Sequence, residues 1–234
     1  MKQCSRSVVR FCLLVFVATM CLPNIAPAAS PGAPLVDACL QAVELAKSTD
    51  QQKAIEQFTI CLNQPGLSSQ IRAGILIDRG NSYNKTGQSD LAIVDFSKAI
   101  KLDPASSMAY NNRGNTLKGR GRQDEALADF AKALKLTPMN TMIYNNRANT
   151  YKAMGQYDKA VADLDRAIEL NPSNAITYYN RACLESARKN TAAACDWLSK
   201  AIVKGFNEQE LIRADKDLDS IRGTACYEDA LKKK

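Results

Sequence analysis

The sequence of 234 residues contains no histidine. Histidine is the most common general acid–base catalyst and the most common metal ligand, so its absence removes the simplest forms of both chemistries. The eight cysteines include no Cys-x-x-Cys pair, which argues against a zinc site. No glycine-rich phosphate loop, serine-based triad or pair of catalytic carboxylates stands out. We therefore expect no catalytic residues, no metal, no cofactor and no enzymatic activity.

Long hydrophobic runs are also missing. The longest, residues 11–22, has about 12 residues, whereas a membrane-spanning helix needs roughly 20. It follows basic residues at positions 2, 6 and 10 and precedes Ala26-Pro-Ala28, a pattern typical of a secretory signal peptide. We expect residues 1–28 to be removed on export to the periplasm or the medium, leaving no membrane insertion. The alternative is an uncleaved anchor.

The surplus of positive charge is small. The formal net charge is +7, and removal of Lys2, Arg6 and Arg10 lowers it to +4. The C-terminal Lys232-Lys-Lys234 run is too short to indicate a nucleic-acid or membrane surface. We therefore expect no nucleic-acid partner.

The dominant feature that is present is a repeat of 34 residues. Residues 107–140 and 141–174 are identical at 17 of 34 positions, including Tyr110/Tyr144 and Arg113/Arg147. Residues 73–106 fit the same template, and residues 175–207 give a weaker fourth copy. A fixed period of this length predicts an array of stacked units, each too small to be stable alone.

The spacing within each unit resembles the tetratricopeptide repeat. Counted from Ser107, Tyr110 is at position 4, Gly114 at 8, Ala126 at 20, Phe130 at 24 and Pro138 at 32. The resemblance implies an all-α solenoid of helix-turn-helix repeats that forms a right-handed superhelix with a C-terminal capping helix. The predicted divisions are a signal peptide (1–28), a flexible lead-in (29–34), a degenerate first repeat (35–68), three clear repeats (73–106, 107–140, 141–174), a divergent repeat (175–207) and the cap (208–234).

Asparagine recurs at two positions that share a helix face. Positions 6 and 9 are three residues apart, and in tetratricopeptide folds they line the concave groove. Because a carboxamide carries a donor and an acceptor, it can pair with a peptide bond whatever the side chains. The alternative is that these amides form hydrogen bonds between helices. The predicted peptide-binding residues are Asn81, Asn112, Asn115, Asn146, Asn149 and Asn180.

The carboxylate clamp of the chaperone-binding members of this family is not expected here. Its two asparagine positions correspond to Asn81 and Asn112, but its three basic positions are Ile77, Met142 and Asn146. Met108, Met142 and the tyrosines at position 4 are interpreted as core or interface residues. The cap is expected to bury apolar anchors, among them Leu211, Ile212, Leu218, Ile221, Tyr227 and Leu231.

Arginine at position 7 departs from the family pattern, in which this position is apolar. It recurs with an aspartate at position 23, and both positions lie equally far from the turn at position 15. We therefore predict ion pairs within repeats, each worth below about 1 kcal/mol if exposed. The predicted pairs are Arg79–Asp95, Arg113–Asp129 and Arg147–Asp163.

Five cysteines would remain after removal of residues 1–28. Cys39 and Cys61 lie on the two helices of one predicted hairpin, near one level, so a disulfide is expected there. Cys183 and Cys195 flank a later hairpin in the same way, and Cys226 competes for either partner. The odd number leaves one thiol free or paired between chains.

These features predict a non-enzymatic scaffold of the cell envelope. Concave surfaces of repeat arrays are usually binding surfaces, so the expected partner is a protein or an extended peptide held in the groove. The alternative is a module that binds a cell-wall glycan or another envelope component, because rows of asparagine and tyrosine also suit sugars.

Overall fold

The computed structural model describes residues 33–232. The predicted signal peptide and residues 29–32 of the lead-in lie outside the described residues. Residues 33–232 contain twelve α-helices and one 3₁₀ turn but no β-strand. The helices are α1 (Ala33–Lys47), α2 (Gln51–Leu62), α3 (Ser69–Lys85), α4 (Ser89–Leu102), α5 (Ser107–Gly119), α6 (Gln123–Leu136), α7 (Thr141–Ala153), α8 (Tyr157–Leu170), α9 (Ala175–Ala187), α10 (Thr191–Val203), α11 (Gln209–Ala214) and α12 (Ala225–Lys232).

The first ten helices form five hairpins that stack on one another in chain order, so the protein is an all-α solenoid. Each predicted repeat corresponds to one hairpin, although α1 and α3 begin before the predicted repeats, at Ala33 and Ser69. Asn140 and Asn174 begin the first helices of two repeats, because each side-chain oxygen accepts a hydrogen bond from a backbone N–H in the first turn. In the four hairpins from residue 73 onward, the turn has a positive φ at position 15, whereas the first hairpin turns at residues 48–50 without one. Gly121 supplies it at 75°, and Lys189 adopts 59° in the divergent repeat.

Close packing within a hairpin depends on matched residues at positions 8 and 24. A Cβ atom added to Gly114 would lie 2.9 Å from Cε1 of the fully buried Phe130. Gly80 stands in the same relation to Phe96. The next two repeats place alanine at position 8 and a smaller leucine at position 24. These four repeats therefore fill the same space in two ways, by glycine with phenylalanine or by alanine with leucine, whereas the first hairpin combines Ala42 with Phe58.

The predicted Arg–Asp pairs are present and largely buried. Arg113 forms two parallel hydrogen bonds to Asp129, both at 2.7 Å, and the aspartate side chain is 7% exposed. Arg113 also donates to Ser97 Oγ of the preceding repeat at 3.0 Å, so it joins adjacent hairpins. Arg79–Asp95 and Arg147–Asp163 have the same two-bond geometry.

The fourth arginine has a different partner. Trp197 occupies position 23 of the divergent repeat, and the guanidinium of Arg181 lies 5.4 Å from the centroid of its ring. The contact with position 23 is therefore a cation–π interaction in this repeat, and Arg181 pairs instead with Asp165 at 3.8 Å and with Glu185. Glu185, one helical turn further on, lies 3.4 Å from Arg181 and compensates its charge.

Helices α11 and α12 and the turn Lys216–Leu218 form the C-terminal cap. Five of the six predicted apolar anchors are buried against α9, α10 or each other. The prediction is wrong for Leu211, which is 46% exposed, because the short helix α11 turns the neighbouring Ile212 inward instead. A disulfide between Cys195 and Cys226 links α10 to α12.

Candidate functional site

The candidate site lies on one face of helices α3, α5, α7 and α9, the first helix of each repeat from residue 73 onward. We call this surface the groove face and define it by positions 2, 5, 6, 9 and 12 of those repeats. At its C-terminal end, against the cap, it contains a cavity of about 470 Å³. The cavity is lined by Lys118, Asn149, Lys152, Asn180, Cys183 and Asp217, among others.

The asparagines at position 6 connect successive repeats. The Nδ2 group of Asn112 donates to Oδ1 of Asn81 at 2.9 Å. In the next two repeats, Asn146 donates to Asn111 at 2.9 Å and Asn180 donates to Asn145 at 2.8 Å. Half of the predicted peptide-binding residues therefore use their amide nitrogen within the chain.

The acceptors Asn111 and Asn145 were not among the predicted site residues. They stand at position 5, and their exposed fractions are 4% and 5%. Asn145 also donates to Thr177 Oγ1 at 2.9 Å. Their sequence signal is the doubled asparagine in Tyr-Asn-Asn-Arg, which occurs in two repeats. These interactions make position 5 part of the contact between repeats.

Of the three asparagines at position 9, one side chain is hydrogen-bonded within the described residues and two are not. The side chain of Asn81 accepts from Asn112, whereas the carboxamides of Asn115 and Asn149 have no hydrogen-bond partner among residues 33–232. Both are half-buried, and Asn149 lines the cavity. A half-buried carboxamide with its donor and acceptor both unused can pair with an incoming polar group. Asn115 and Asn149 are therefore the members of the predicted set that remain available to a ligand.

A row of apolar side chains runs beside the amides. Met108, Met142 and Ile176 stand at position 2 of successive repeats, and their exposed fractions are 48%, 53% and 45%. The sequence predicts core or interface positions for the two methionines, and this exposure excludes the core. Position 2 falls in the first turn of each first helix, where no neighbouring helix covers it. Methionine side chains at such a surface adapt to varied apolar partners.

Lysine occupies position 12 in two repeats, on the cavity side of the groove face. Lys152 forms an ion pair with Asp217 of the cap. Lys118, the equivalent residue one repeat earlier, has no ion-pair or hydrogen-bond partner among the described residues. Burial and, to a smaller extent, the charge of Lys152 lower the pKa of the Lys118 ammonium. The cavity thus contains one compensated and one uncompensated cation.

Position 6 of the 73–106 repeat carries Asp78 instead of asparagine. No hydrogen bond or ion pair involves its side chain among residues 33–232, and burial raises the pKa of its carboxyl from 3.8 to about 6. Between about pH 4 and pH 6, the Asp78 carboxyl is therefore protonated in the native state but ionised in the unfolded chain. Stability that is present below this window is lost as the pH rises through it.

We expect Asp78→Asn to raise the melting temperature above pH 6 and to change it little at pH 4, because an amide has no charge to desolvate. Thermal melts of both proteins between pH 4 and pH 7.5 measure the difference. A gain of equal size at both ends of this range, or no gain, would contradict the assignment of a desolvated carboxylate. Asp90→Asn, at an exposed position of the same hairpin, is the control.

The cysteines of the described chain form two disulfides. Cys39 is bonded to Cys61, the pairing that the sequence predicts, with 5.4 Å between the Cα atoms. The Cys183–Cys195 pairing is wrong, and Cys195 is bonded instead to Cys226, the competing partner that the sequence also offers. Docking of the cap brings Cys226 to α10, while Cys183 faces the cavity and is buried and free.

The free thiol lies in a polar cluster that is satisfied within the chain. The ligand atoms of Cys183, Asp215 and Asp217 lie within 4.8 Å of one another. The Asp215 carboxylate already accepts a hydrogen bond from Tyr179 at 2.5 Å, and Asp217 is paired with Lys152. Burial raises the pKa of the Cys183 thiol to about 12, which keeps it protonated. This donor set is therefore a poor match to a metal ion, which needs deprotonated ligands.

No helix among residues 33–232 is long and apolar enough to cross a membrane. Comparison with curated proteins found no match. A family model described as tetratricopeptide repeat matches residues 142–174, and a second, described as TPR repeat, matches residues 80–119 and 115–155. These ranges include α5 and α7, which are two of the four helices that form the groove face.

Solved structures of similar fold include bacterial repeat proteins. A fragment of MamA from Desulfovibrio magneticus is 16% identical with a TM-score of 0.64, covering 74% of this chain and 96% of that one. A tetratricopeptide repeat protein from Parabacteroides merdae is 18% identical with a TM-score of 0.64, covering 73% and 66%. YrrB, described as a TPR protein with an unusual peptide-binding site, is 20% identical with a TM-score of 0.58, covering 77% and 91%. At these identities the likeness establishes the fold.

Proposed function

Because this chain is a tetratricopeptide repeat protein, we propose that its groove face binds an extended segment of a partner protein. The repeats make the chain a protein–protein interaction scaffold, and such repeats are generally non-enzymatic. The observation that carries the finer proposal is the pair of half-buried, unpartnered amides, Asn115 and Asn149. They stand one repeat apart, so one extended peptide can meet both. YrrB, one of the solved structures with a similar fold, is described as having an unusual peptide-binding site, and this description is consistent with such a use of the fold.

Two parallel rows of the groove face suit an extended peptide. The amides of Asn115 and Asn149 can pair with main-chain groups, which every peptide carries. The exposed Met108, Met142 and Ile176 lie beside them and can contact apolar side chains. This division resembles strand recognition, in which main-chain hydrogen bonds provide affinity and side-chain contacts provide selectivity.

We also propose that the protein acts in the cell envelope. The basic start, short apolar run and Ala-x-Ala site of residues 1–28 support export, and the two disulfides suit an oxidising compartment. Amino-terminal sequencing of the native protein tests this, since a mature chain that begins near Ala29 is expected. Recovery of the chain with residues 1–28 attached in the cytoplasm would overturn it.

The groove is tested with a phage-displayed library of random twelve-residue peptides. We expect the wild-type protein to select peptides, and Asn115→Ala/Asn149→Ala to bind them about a hundredfold less tightly, because each lost pairing costs at least about 1.4 kcal/mol at a buried contact. Neither amide has a partner within the described chain, so the melting temperature should stay near wild type. Titration calorimetry and circular dichroism measure the two quantities.

The matched control is Asn63→Ala/Asn207→Ala, which removes two exposed amides outside the groove face. Its affinity for the selected peptides should equal that of the wild type. Selected peptides that bind the Asn115→Ala/Asn149→Ala protein as tightly as the wild type would place the binding surface elsewhere. Failure to select any peptide, with retention on cell-wall glycan instead, would favour the second class of partner.

A further inference from the structure

The C-terminal cap provides an example of an acidic side chain bound to the groove face. Asp217 extends from the turn Lys216–Leu218 onto the groove face, where its carboxylate pairs with the ammonium of Lys152. The Lys152 side chain is 13% exposed and the Asp217 side chain is 51% exposed. One acidic segment of this chain therefore already occupies the position-12 site of the 141–174 repeat.

The equivalent site of the preceding repeat has no such occupant. Lys118 and Lys152 are 34 residues apart, at the same position of consecutive repeats. Both line the same cavity, together with Asn149 and Asn180. The charged groups that face this cavity are Lys118, Lys152, Asp215 and Asp217. Asp217 pairs with Lys152 and Asp215 accepts a hydrogen bond from Tyr179, and neither carboxylate forms an ion pair with Lys118.

We propose that Lys118 receives a carboxylate side chain of the bound partner, in the way that Lys152 receives Asp217. The partner is then an acidic segment with apolar residues, which continues along the groove face from the end of the cap. Its acidic side chains reach the lysine row and its apolar side chains reach Met108 and Met142. This inference rests on the proposed function and adds the chemical class of the partner.

The energetic reasons are local. A half-buried ammonium without a partner has lost part of its hydration, and a carboxylate restores the interaction through a charge-assisted hydrogen bond. The free carboxamide of Asn149 lies on the same cavity wall and can donate to the second carboxylate oxygen. A neutral amide side chain at the same place would gain much less from Lys118.

The experiment uses two fluorescein-labelled decapeptides on the full mature chain. One alternates Asp and Leu, and its isostere alternates Asn and Leu. We expect the Asp/Leu peptide to bind wild type at least about tenfold more tightly by fluorescence anisotropy. Lys118→Met should remove this preference, whereas Lys132→Met, an exposed lysine on the second helix of the same hairpin, should keep it. The preference should also shrink from 0.05 M to about 0.5 M salt, as expected for screened charges.

A variant that should gain affinity separates the loss of a specific contact from loss of binding through misfolding. Asp217→Asn releases Lys152 from its ion pair, so the Asp/Leu peptide should bind this variant more tightly than wild type. Unchanged or weaker binding overturns the proposal, as does a preference that survives Lys118→Met. Equal binding of both peptides, lost in Asn115→Ala/Asn149→Ala, overturns the acidic partner and leaves the groove function standing. Absence of binding by either peptide, with library peptides still selected, likewise overturns only the acidic partner.

Discussion

Asp129→Ala should lower the free energy of unfolding by about 3 kcal/mol or more. The substitution leaves the Arg113 guanidinium, which is 24% exposed, without the carboxylate that accepts two of its hydrogen bonds. Removal of one partner of a buried pair costs about 3–5 kcal/mol, because the remaining charge stays in a low-dielectric site. The hydrogen bonds from Arg113 hold α5 against α6 and, through Ser97, against α4. Loss of the carboxylate therefore weakens two contacts between helices.

Chemical denaturation followed by circular dichroism measures this effect. The control is Glu125→Ala, which breaks the ion pair with Arg122 on the same hairpin, where both side chains are about half exposed. That change should affect stability far less, because water replaces the lost partner. Replacement of the whole pair by Arg113→Met/Asp129→Leu should recover much of the loss, since no buried charge is then left. Equal losses for Asp129→Ala and Glu125→Ala would show that burial adds nothing to the pair.

The repeat period and the spacing of small and large residues made most of the fold predictable from the sequence. The pairing of Arg113 with Asp129 also followed from the sequence, because positions 7 and 23 lie at one level of any such hairpin. The volume match between Gly114 and Phe130 could have been read from the same comparison. From residue 141 onward, repeats with alanine at position 8 carry the smaller leucine at position 24, which offsets the added methyl group, whereas the first repeat combines Ala42 with Phe58.

Features that depend on contacts outside the repeat pattern were not predictable. Cys226 lies in the cap, so its bond to Cys195 depends on how the cap docks, which no period specifies. The exposure of Met108 and Met142 depends on whether a neighbouring helix covers the first turn. The two groups of asparagine differ for a similar reason. Periodicity places them all on one face, but side-chain geometry decides that Asn146 bonds to Asn111 while Asn149 stays free.

The triple substitution Asn112→Ala/Asn146→Ala/Asn180→Ala should chiefly reduce stability. Each change removes an amide donor whose hydrogen bond joins two repeats. The Oδ1 atom that accepted this hydrogen bond in the preceding repeat is then left without a donor. The acceptors Asn111 and Asn145 are buried, and an unsatisfied buried polar group costs about 1–3 kcal/mol. Because stability in a repeat array is carried by contacts between neighbours, three weakened interfaces should lower the melting temperature by many degrees and broaden the transition.

Comparison with Asn115→Ala/Asn149→Ala separates the two roles of the asparagines. The triple variant should lose stability and retain most of its peptide affinity in the folded fraction, because Asn115 and Asn149 are intact. The double variant should lose affinity and retain stability. Calorimetric titration below the onset of melting, together with circular dichroism melts, provides both quantities for each protein. A triple variant that melts like wild type but no longer binds peptide would show that position 6 serves the ligand directly. In that case the hydrogen bonds between repeats contribute little, and the ligand contacts Asn112, Asn146 and Asn180 themselves.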